Sequence, residues 1–322
     1  MRRVVCEKFG PIDDLTIEDA PDLQPEAGQV VVDVEACGVN FVDGLFVEGR
    51  YQIKPPLPFT PGGEVAGVVS AVAPDVSGFS AGDRVLASCG LGGFASQVAV
   101  GASSVYALPD GVTFGQGATF VQSYATAQFS LAHRTIVQPG EWVLVLGAGG
   151  GVGRASVDVA RNLGGRVIGV ASSEDKREAA RDAGAEATID STTEDVKARA
   201  REISGGGVDV VVDPVGGDLA EPALRALKFS GRFLVVGFVA GIPRLPLNQV
   251  LLNNRTVIGV EWGGWAIRNA DANRRMIEAV LADAAAGRLR PPEPATAKLD
   301  EVVSVLRDLA DRRVTGKVVL VP

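Results

Sequence analysis

Histidine is almost absent from this 322-residue chain: His133 stands alone, beside three cysteines, two methionines, three tyrosines and three tryptophans. A transition-metal centre needs His, Cys or carboxylates at short, regular spacings, and one histidine with the scattered Cys6, Cys37 and Cys89 offers no such set. The same three cysteines are far apart, odd in number and never form Cys-x-x-Cys, so they suggest no disulfide framework. Long apolar runs are missing as well. Charged residues interrupt every apolar stretch before it reaches membrane-spanning length, and the start Met1-Arg2-Arg3-Val4-Val5-Cys6-Glu7 lacks the apolar block of a signal peptide, so a cytoplasmic chain with no membrane partner is expected. Positive charge is in deficit, with 31 Lys and Arg against 39 Asp and Glu and a net charge of −8. That balance disfavours nucleic acid, and any phosphate-bearing ligand must find a local cluster of N–H donors and cations.

What is plentiful is glycine, 40 residues of it, together with 46% apolar residues, ample for the cores of two domains. The early part of the chain is β-rich: Val30 to Ala36, Gly63 to Val72 and Asp83 to Ala87 are short apolar or alternating runs bounded by Pro, Gly and Asp, as in a compact barrel. After Ser123 strand-like runs alternate with helical ones. Val208 to Val212, Phe233 to Val236 and Val257 to Val260 are separated by helix-length stretches, the pattern of βαβ units in a parallel sheet. Helical patterns over 270–286 and 300–311 then lead into a closing strand, Lys317 to Val321, which can return to the first domain.

The most informative run is Trp142-Val143-Leu144-Val145-Leu146-Gly147-Ala148-Gly149-Gly150-Gly151-Val152-Gly153, a buried strand, a glycine turn and the start of a helix. Small residues at Ala148, Gly150 and Gly153 permit a tight turn, close approach to a pyrophosphate and close helix packing, while the helix N-terminus offers unpaired N–H groups, here those of Gly151, Val152 and Gly153. Arg154 to Leu163 continues as a helix, Gly164-Gly165 ends it, and a second strand follows from Arg166 to Val170. The reading is a dinucleotide-binding unit, with a purely structural turn as the competing one.

With these elements in place, the whole chain resembles a medium-chain dehydrogenase/reductase and, within that superfamily, the zinc-free NADPH quinone oxidoreductases related to zeta-crystallin. Gly38-Val39-Asn40-Phe41-Val42-Asp43, Pro61-Gly62-Gly63-Glu64-Val65-Ala66-Gly67, Gly82-Asp83-Arg84-Val85, Gln138-Pro139-Gly140-Glu141, the glycine turn and Gly316-Lys317-Val318-Val319-Leu320 carry the resemblance, in order along nearly the full length. It implies an α/β protein: a GroES-like β-rich catalytic barrel over residues 1–122, completed by 264–322, a Rossmann domain over 123–263, and an active site in the cleft where they meet. In the zinc alcohol dehydrogenases of the superfamily, a cysteine ligand stands where this chain has Asn40, and a histidine ligand precedes the Glu where it has Gly63-Glu64. The run of four cysteines of their structural zinc lobe is replaced by Cys89 and then Gly92-Gly93-Phe94-Ala95. No metal is expected, which argues against oxidation of simple alcohols.

Cofactor choice is read where the second Rossmann strand ends. The position resembling the NAD-selective aspartate is Ala171, and Ser172, Ser173, Lys176 and Arg177 follow as donors for the extra phosphate of NADPH. Their alternative role is pairing with Glu174, Glu178 or Asp182 on a solvated helix face, and Glu174 and Asp175 complicate a phosphate site. Asn40 is expected either to bond the nicotinamide ribose, to polarise a substrate carbonyl, or to stabilise a turn beside Asp43. Thr126, expected to open a helix near the domain junction, matches a threonine that lies near the nicotinamide in relatives, with a helix-start or core role as alternative. Tyr51 donates to a developing enolate, stacks on a quinone, or covers Pro55-Pro56-Leu57-Pro58. A second tyrosine of some relatives is replaced by Leu45 or Phe46, which puts a quinone preference in question. Gly237, Phe238 and Val239 are expected to face the cofactor. Trp262 and Trp265 are pocket-wall, core or interface candidates, and Lys317 matches a family position near the cofactor or is simply solvated.

The implied chemistry is hydride transfer from NADPH to a small electrophile, either a quinone or the β-carbon of an enone, enal or 2-enoyl thioester, with Asn40, Tyr51 or water stabilising the oxygen that turns negative. A binding protein that senses or scaffolds NADPH without catalysis is the reading from another class. The apolar, β-branched run Arg255 to Val260 is suited to pair across a two-fold axis, so a homodimer is expected.

Overall fold

A computed structural model describes residues 1–322, which divide into two compact units: Met1–Gln122 with Ile277–Ala285 and Pro291–Pro322, and Ser123–Met276 with Ala286–Arg290. Strands β1 (Arg2–Val5), β2 (Thr16–Asp19) and β3 (Gln29–Val39), helix α1 (Phe41–Val47), strands β4 (Glu64–Val72), β5 (Arg84–Ser88), β6 (Gln97–Gly101) and β7 (Val105–Ala107), and helix α2 (Phe114–Ala118) open the chain. A helical run over residues 121–134 follows, with α3 (Thr126–Gln128) at its centre, and then β8 (Trp142–Leu146), α4 (Gly151–Asn162), β9 (Arg166–Ala171), α5 (Glu174–Asp182) and β10 (Ala187–Asp190). The remainder is α6 (Val196–Ile203), β11 (Val208–Asp213), α7 (Ala220–Ala226), β12 (Leu227–Val235), α8 (Leu247–Leu251), β13 (Thr256–Gly259), α9 (Trp262–Arg268), α10 (Ala270–Ala285), β14 (Ala295–Lys298), α11 (Val302–Ala310) and β15 (Val318–Val321).

In the first unit a seven-stranded sheet runs β14-β15-β3-β4-β5-β7, with β6 also paired to β3. Alternation drives β3: Val30, Val32 and Val34 are buried while Asp33 and Glu35 point to solvent. The closing strand β15 joins antiparallel to β3, Val318 opposite Val39 and Val319 opposite Gly38, and parallel to β14. Strand β4 flanks β3 from the other side, Glu64 opposite Gly38. Residues 317, 40 and 64 are thereby brought together around one point of β3. The core is mostly valine and leucine with buried phenylalanines, Val4, Val32, Val65, Val85, Phe94, Leu306 and Leu320 being among its members.

The second unit is a six-stranded sheet ordered β10-β9-β8-β11-β12-β13, parallel at every pairing. Strand β8 is fully buried from Val143 to Leu146, and β11 from Val208 to Asp213, because helices cover both faces of a parallel sheet. The order reverses between β8 and β11, so the topological switch point lies beside the glycine turn. Inside this unit the buried Asp158 of α4 accepts from Tyr124 Oη at 2.9 Å and Arg290 N at 2.6 Å and pairs with Arg161 at 2.6 Å, so its charge is matched by donors.

The structure corrects some sequence expectations. Thr126 is the first residue of α3 but does not start the helical run: π-helical turns at Val121–Ala125 and Phe129–Arg134 enclose α3, so Thr126 is buried in the middle of it. Strand β12 starts at Leu227, not near Phe233, and an irregularity in its register with β11 absorbs the extra residues around Ser230, whose φ is 60°. Residues 264–276 group with the second unit, and the chain passes to the first at Ile277, inside α10. Aromatic contacts explain the difference: Trp262 Nε1 donates to Asn273 Oδ1 at 2.9 Å and the Trp265 ring lies 4.8 Å from that of Phe129. No helix is long and apolar enough to cross a membrane.

Candidate active site

The glycine turn of the second unit is built by backbone demands. Gly147 sits at φ +60°, and a Cβ on Gly153 would lie 2.0 Å from Gly147 O, so a side chain there would force the helix off the strand. The first intrahelical acceptor of α4 is Gly150 O, which takes Arg154 N at 2.8 Å. The N–H groups of Gly151, Val152 and Gly153 precede that bond at the positive end of the helix dipole, a cradle suited to a pyrophosphate. Ala148 N is used structurally, donating to Val170 O at 3.0 Å.

At the end of β9, Ala171 is buried and Ser172 and Ser173 are exposed. Arg177 is shared between two carboxylates, Glu174 at 2.7 Å and Asp190 at 2.8 Å. Hydrogen bonds from Arg181 first and Arg177 second hold Glu174 below the usual carboxylate range. Arg177 is therefore already neutralised by its own neighbours, and the serines are the unencumbered oxygens of this strand end. Lys176 backs onto the turn, since a Cβ on Gly149 would meet its Cβ at 2.5 Å. After β11, burial pushes the Asp213 carboxyl up while it accepts from Val215 N at 2.8 Å and Gly216 N at 2.7 Å. Gly237 N donates to Asp213 O at 3.2 Å, Phe238 is exposed and Val239 half-buried, which places this segment after β12 beside the same loop.

In the first unit Asn40 is the N-cap of α1, but its side chain does not cap the helix. Its backbone N–H goes to Asp43 Oδ2 at 2.7 Å, while Nδ2 donates to Glu64 Oε1 at 3.0 Å and Oδ1 accepts from Lys317 Nζ at 2.5 Å. Lys317 Nζ also donates to Glu64 Oε1 at 3.2 Å and Val39 O at 3.3 Å, which commits all the protons of an ammonium. Glu64 Oε2 accepts from Gln122 N at 2.9 Å. Lys317 is thus neither solvated nor left with a proton for a cofactor, its side chain being 10% exposed against 3% for Glu64. A Cβ on Gly38 would come within 2.0 Å of Ala118 O and 2.9 Å of Glu64 Oε1, so only glycine admits the carboxylate. Asp43, buried beneath the cluster, has its carboxyl pushed up to about 7, chiefly by burial, with Glu64 adding to the shift while the Asn40 N–H, Lys317 and Gly62 oppose it.

Tyr51 is half-buried with its ring 4.6 Å from that of Phe46, and Ile53 and Leu57 are exposed on the loop beyond it. Thr126 is buried, its carbonyl accepting from Ser130 Oγ at 2.7 Å. Trp262 is half-buried, and His133 is exposed, its ring 5.2 Å from that of Trp265. Sequence reasoning named Asn40, its turn neighbour Asp43 and Lys317, but not Glu64 as the partner that joins Asn40 to Lys317. A lone Glu after a glycine pair, at the head of β4, carries no local signal of an ion pair formed 253 residues away.

Known proteins share this fold. Residues 26–110 match the family described as alcohol dehydrogenase GroES-like domain, and residues 151–281 the family described as zinc-binding dehydrogenase. Together they define the medium-chain dehydrogenase/reductase class of oxidoreductase. The chain is 38% identical to a quinone oxidoreductase-like protein 2 homologue of Nematostella vectensis, over 99% of this chain and 88% of that protein. It is 35% identical to human quinone oxidoreductase, over 81% of this chain and 80% of that protein. Escherichia coli quinone oxidoreductase, solved with NADPH, superposes with a TM-score of 0.91 at 28% identity, covering all of both chains. The chain belongs to the quinone oxidoreductase family of the medium-chain dehydrogenase/reductase superfamily and is an oxidoreductase.

The description of the second matching family makes zinc a question of donors. At the head of α1 stand a carboxamide, a carboxylate and an ammonium; the ammonium lies 3.2 Å from Glu64 and 2.5 Å from Asn40, where it would repel a dication. Cys37 and Cys89 belong to no group of three or more His, Cys, Asp or Glu side chains that could hold a metal ion. These residues do not fit a zinc ion.

Proposed function

We propose that this chain is a zinc-independent, NADPH-dependent oxidoreductase that reduces a quinone or a similarly electron-poor acceptor. The observation that carries the reading is the β8–α4 turn, where glycine is required for the backbone to close and the first helical N–H groups are presented together. Gly150, Gly151, Val152 and Gly153, with Ala148 packed beneath them, would hold the pyrophosphate. Ser172 and Ser173, with Lys176 and the carboxylate-paired Arg177, would hold the adenosine phosphate, and Thr126, Gly237, Phe238 and Val239 would border the nicotinamide. Bound NADPH supplies the hydride.

The chain's own part is to orient the acceptor, exclude water and stabilise the charge that develops on its oxygen. Asn40 supplies an Nδ2 proton to that oxygen, and Tyr51 presents a ring face or its hydroxyl. With hydride delivered to carbon and negative charge on oxygen, a proton from solvent completes the reduction. The Phe46–Tyr51 ring pair offers aromatic faces suited to a flat acceptor. Trp262, half-buried, would contribute apolar wall. The same reading makes the chain a cytoplasmic homodimer.

The test is NADPH against NADH oxidation by the purified protein with 1,4-benzoquinone, a 9,10-phenanthrenequinone, 2-cyclohexenone, a 2-alkenal and a crotonyl thioester, each with and without a zinc chelator. Chelator-resistant, NADPH-selective turnover fastest with the quinones is expected. A best rate with the enone or thioester moves the substrate class to ene reduction. NADH preference or chelator sensitivity overturns the reading, and an NADPH-induced rise in Tm without turnover replaces it with a binding function.

A further inference from the structure

We infer that Lys317 and Glu64 are positioning residues that lock the Asn40 carboxamide in one orientation, so that Asn40 presents its Nδ2 hydrogen-bond donor to a ligand. The inference deepens the function proposed above and rests on that reading for its kinetic consequences.

An asparagine amide offers a carbonyl acceptor and an NH2 with two donors, and nothing in an isolated side chain decides which end meets a ligand. Here the two ends face opposite charges. Oδ1 is held at 2.5 Å by the Lys317 ammonium, and Nδ2 donates to the Glu64 carboxylate at 3.0 Å. Turning the amide over would set NH2 against NH3⁺ and carbonyl against carboxylate, replacing two charge-assisted hydrogen bonds by two repulsive contacts. Because Lys317 and Glu64 are nearly buried, water does not soften that choice. The carboxylate is fixed in turn by Gln122 N at 2.9 Å and by the absence of a Cβ on Gly38. Lys317 is fixed by Val39 O and by its place at the start of β15, in register with β3. One Nδ2 proton goes to Glu64, which leaves the second as the group available to a ligand. A donor at that point stabilises an oxygen gaining negative charge, as the reduction of a quinone or enone requires.

The arrangement also explains how a site without metal-ligating residues keeps a cation. The Lys317 ammonium is covalently tethered and charge-balanced by Glu64, and it acts on the ligand through Asn40 rather than by contact.

The experiment compares the full-length protein with Lys317→Met, Asn40→Ala and the double variant. With the best acceptor, Lys317→Met is expected to lower kcat about tenfold, as Asn40→Ala does, with the KM for NADPH unchanged, and the double variant should be no slower than Asn40→Ala alone. In 15N-labelled protein the Asn40 side-chain amide pair, identified by its loss in Asn40→Ala, should be resolved and slow to exchange, and should shift and collapse toward free-amide positions in Lys317→Met. Because Lys317→Met leaves Glu64 short of its cation, Lys317→Met with Glu64→Gln is measured alongside to keep the cluster neutral and folded, and it should show the same amide change. Additive kinetic losses, a Lys317→Met rate equal to wild type, or an Asn40 amide unmoved by loss of the lysine would overturn the inference. Should the wild-type protein reduce none of the acceptors, the proposed reaction fails while the amide spectra still decide the orientation of Asn40.

Discussion

A single carboxyl group shows how strongly its surroundings redefine a residue. Asp43 is 1% exposed and its carboxyl is pushed up to about 7 from an ordinary 3.8. The folded protein thus holds this proton over a range, from about pH 4 to about pH 7, in which the unfolded chain has released it. Its contribution to stability is present below the unfolded value and is lost as pH rises through the folded one. Urea midpoints measured from pH 5 to pH 8 should fall with rising pH, and Asp43→Asn, which retains an acceptor for Asn40 N–H, should flatten that slope; an unchanged slope would show that Asp43 is not its source. Asp43, Glu64 and Lys317 were not legible as a group in sequence. Each is an ordinary residue type at an ordinary local position, and their meaning lies in contacts between β3, β4 and β15.

At the scale of elements, the strand–turn–helix unit at β8 and α4 was readable because every constraint in it is local. An apolar run makes the strand, and glycine requirements within seven positions make the turn. Gly153→Ala would set a methyl group 2.0 Å from Gly147 O, so the helix must move away from β8. The expected result is loss of most of the NADPH-induced rise in Tm together with a drop in basal Tm; retention of the full ligand-induced shift would show that the turn does not hold the dinucleotide. The run over 121–134 was misread for the opposite reason. Hydrophobic periodicity gives the presence of a helix but not a π-turn, whose altered hydrogen-bond register depends on packing, and so it does not show that Thr126, the first residue of α3, lies inside a longer run. The early start of β12 is of the same kind: its bulged residues around Ser230 look like loop until the partner strand is known.

For the whole molecule the edge strand β13 raises the question of association. It pairs only with β12, Val257 is exposed on it, and Leu247, Leu251 and Leu252 before it are exposed as well. An open parallel-sheet edge beside apolar side chains is a template for a second copy of the same strand. Sedimentation at micromolar concentration should give a dimer for the wild-type chain and a monomer for Val257→Lys, whereas a monomeric wild type would remove β13 as an interface.

The amino-acid sequence by itself determined the parts of this protein that depend on near neighbours: a β-rich first part, a parallel α/β sheet, and the strand, glycine turn and helix at β8 and α4. Tertiary structure alone decided how Asn40 is used. Its amide is oriented by a lysine 277 residues further on and a glutamate 24 residues further on, and strand register, not local sequence, sets those distances. Electrostatics at a buried site depends on which charges face one another in space, and the chain reveals that only when β15 closes against β3.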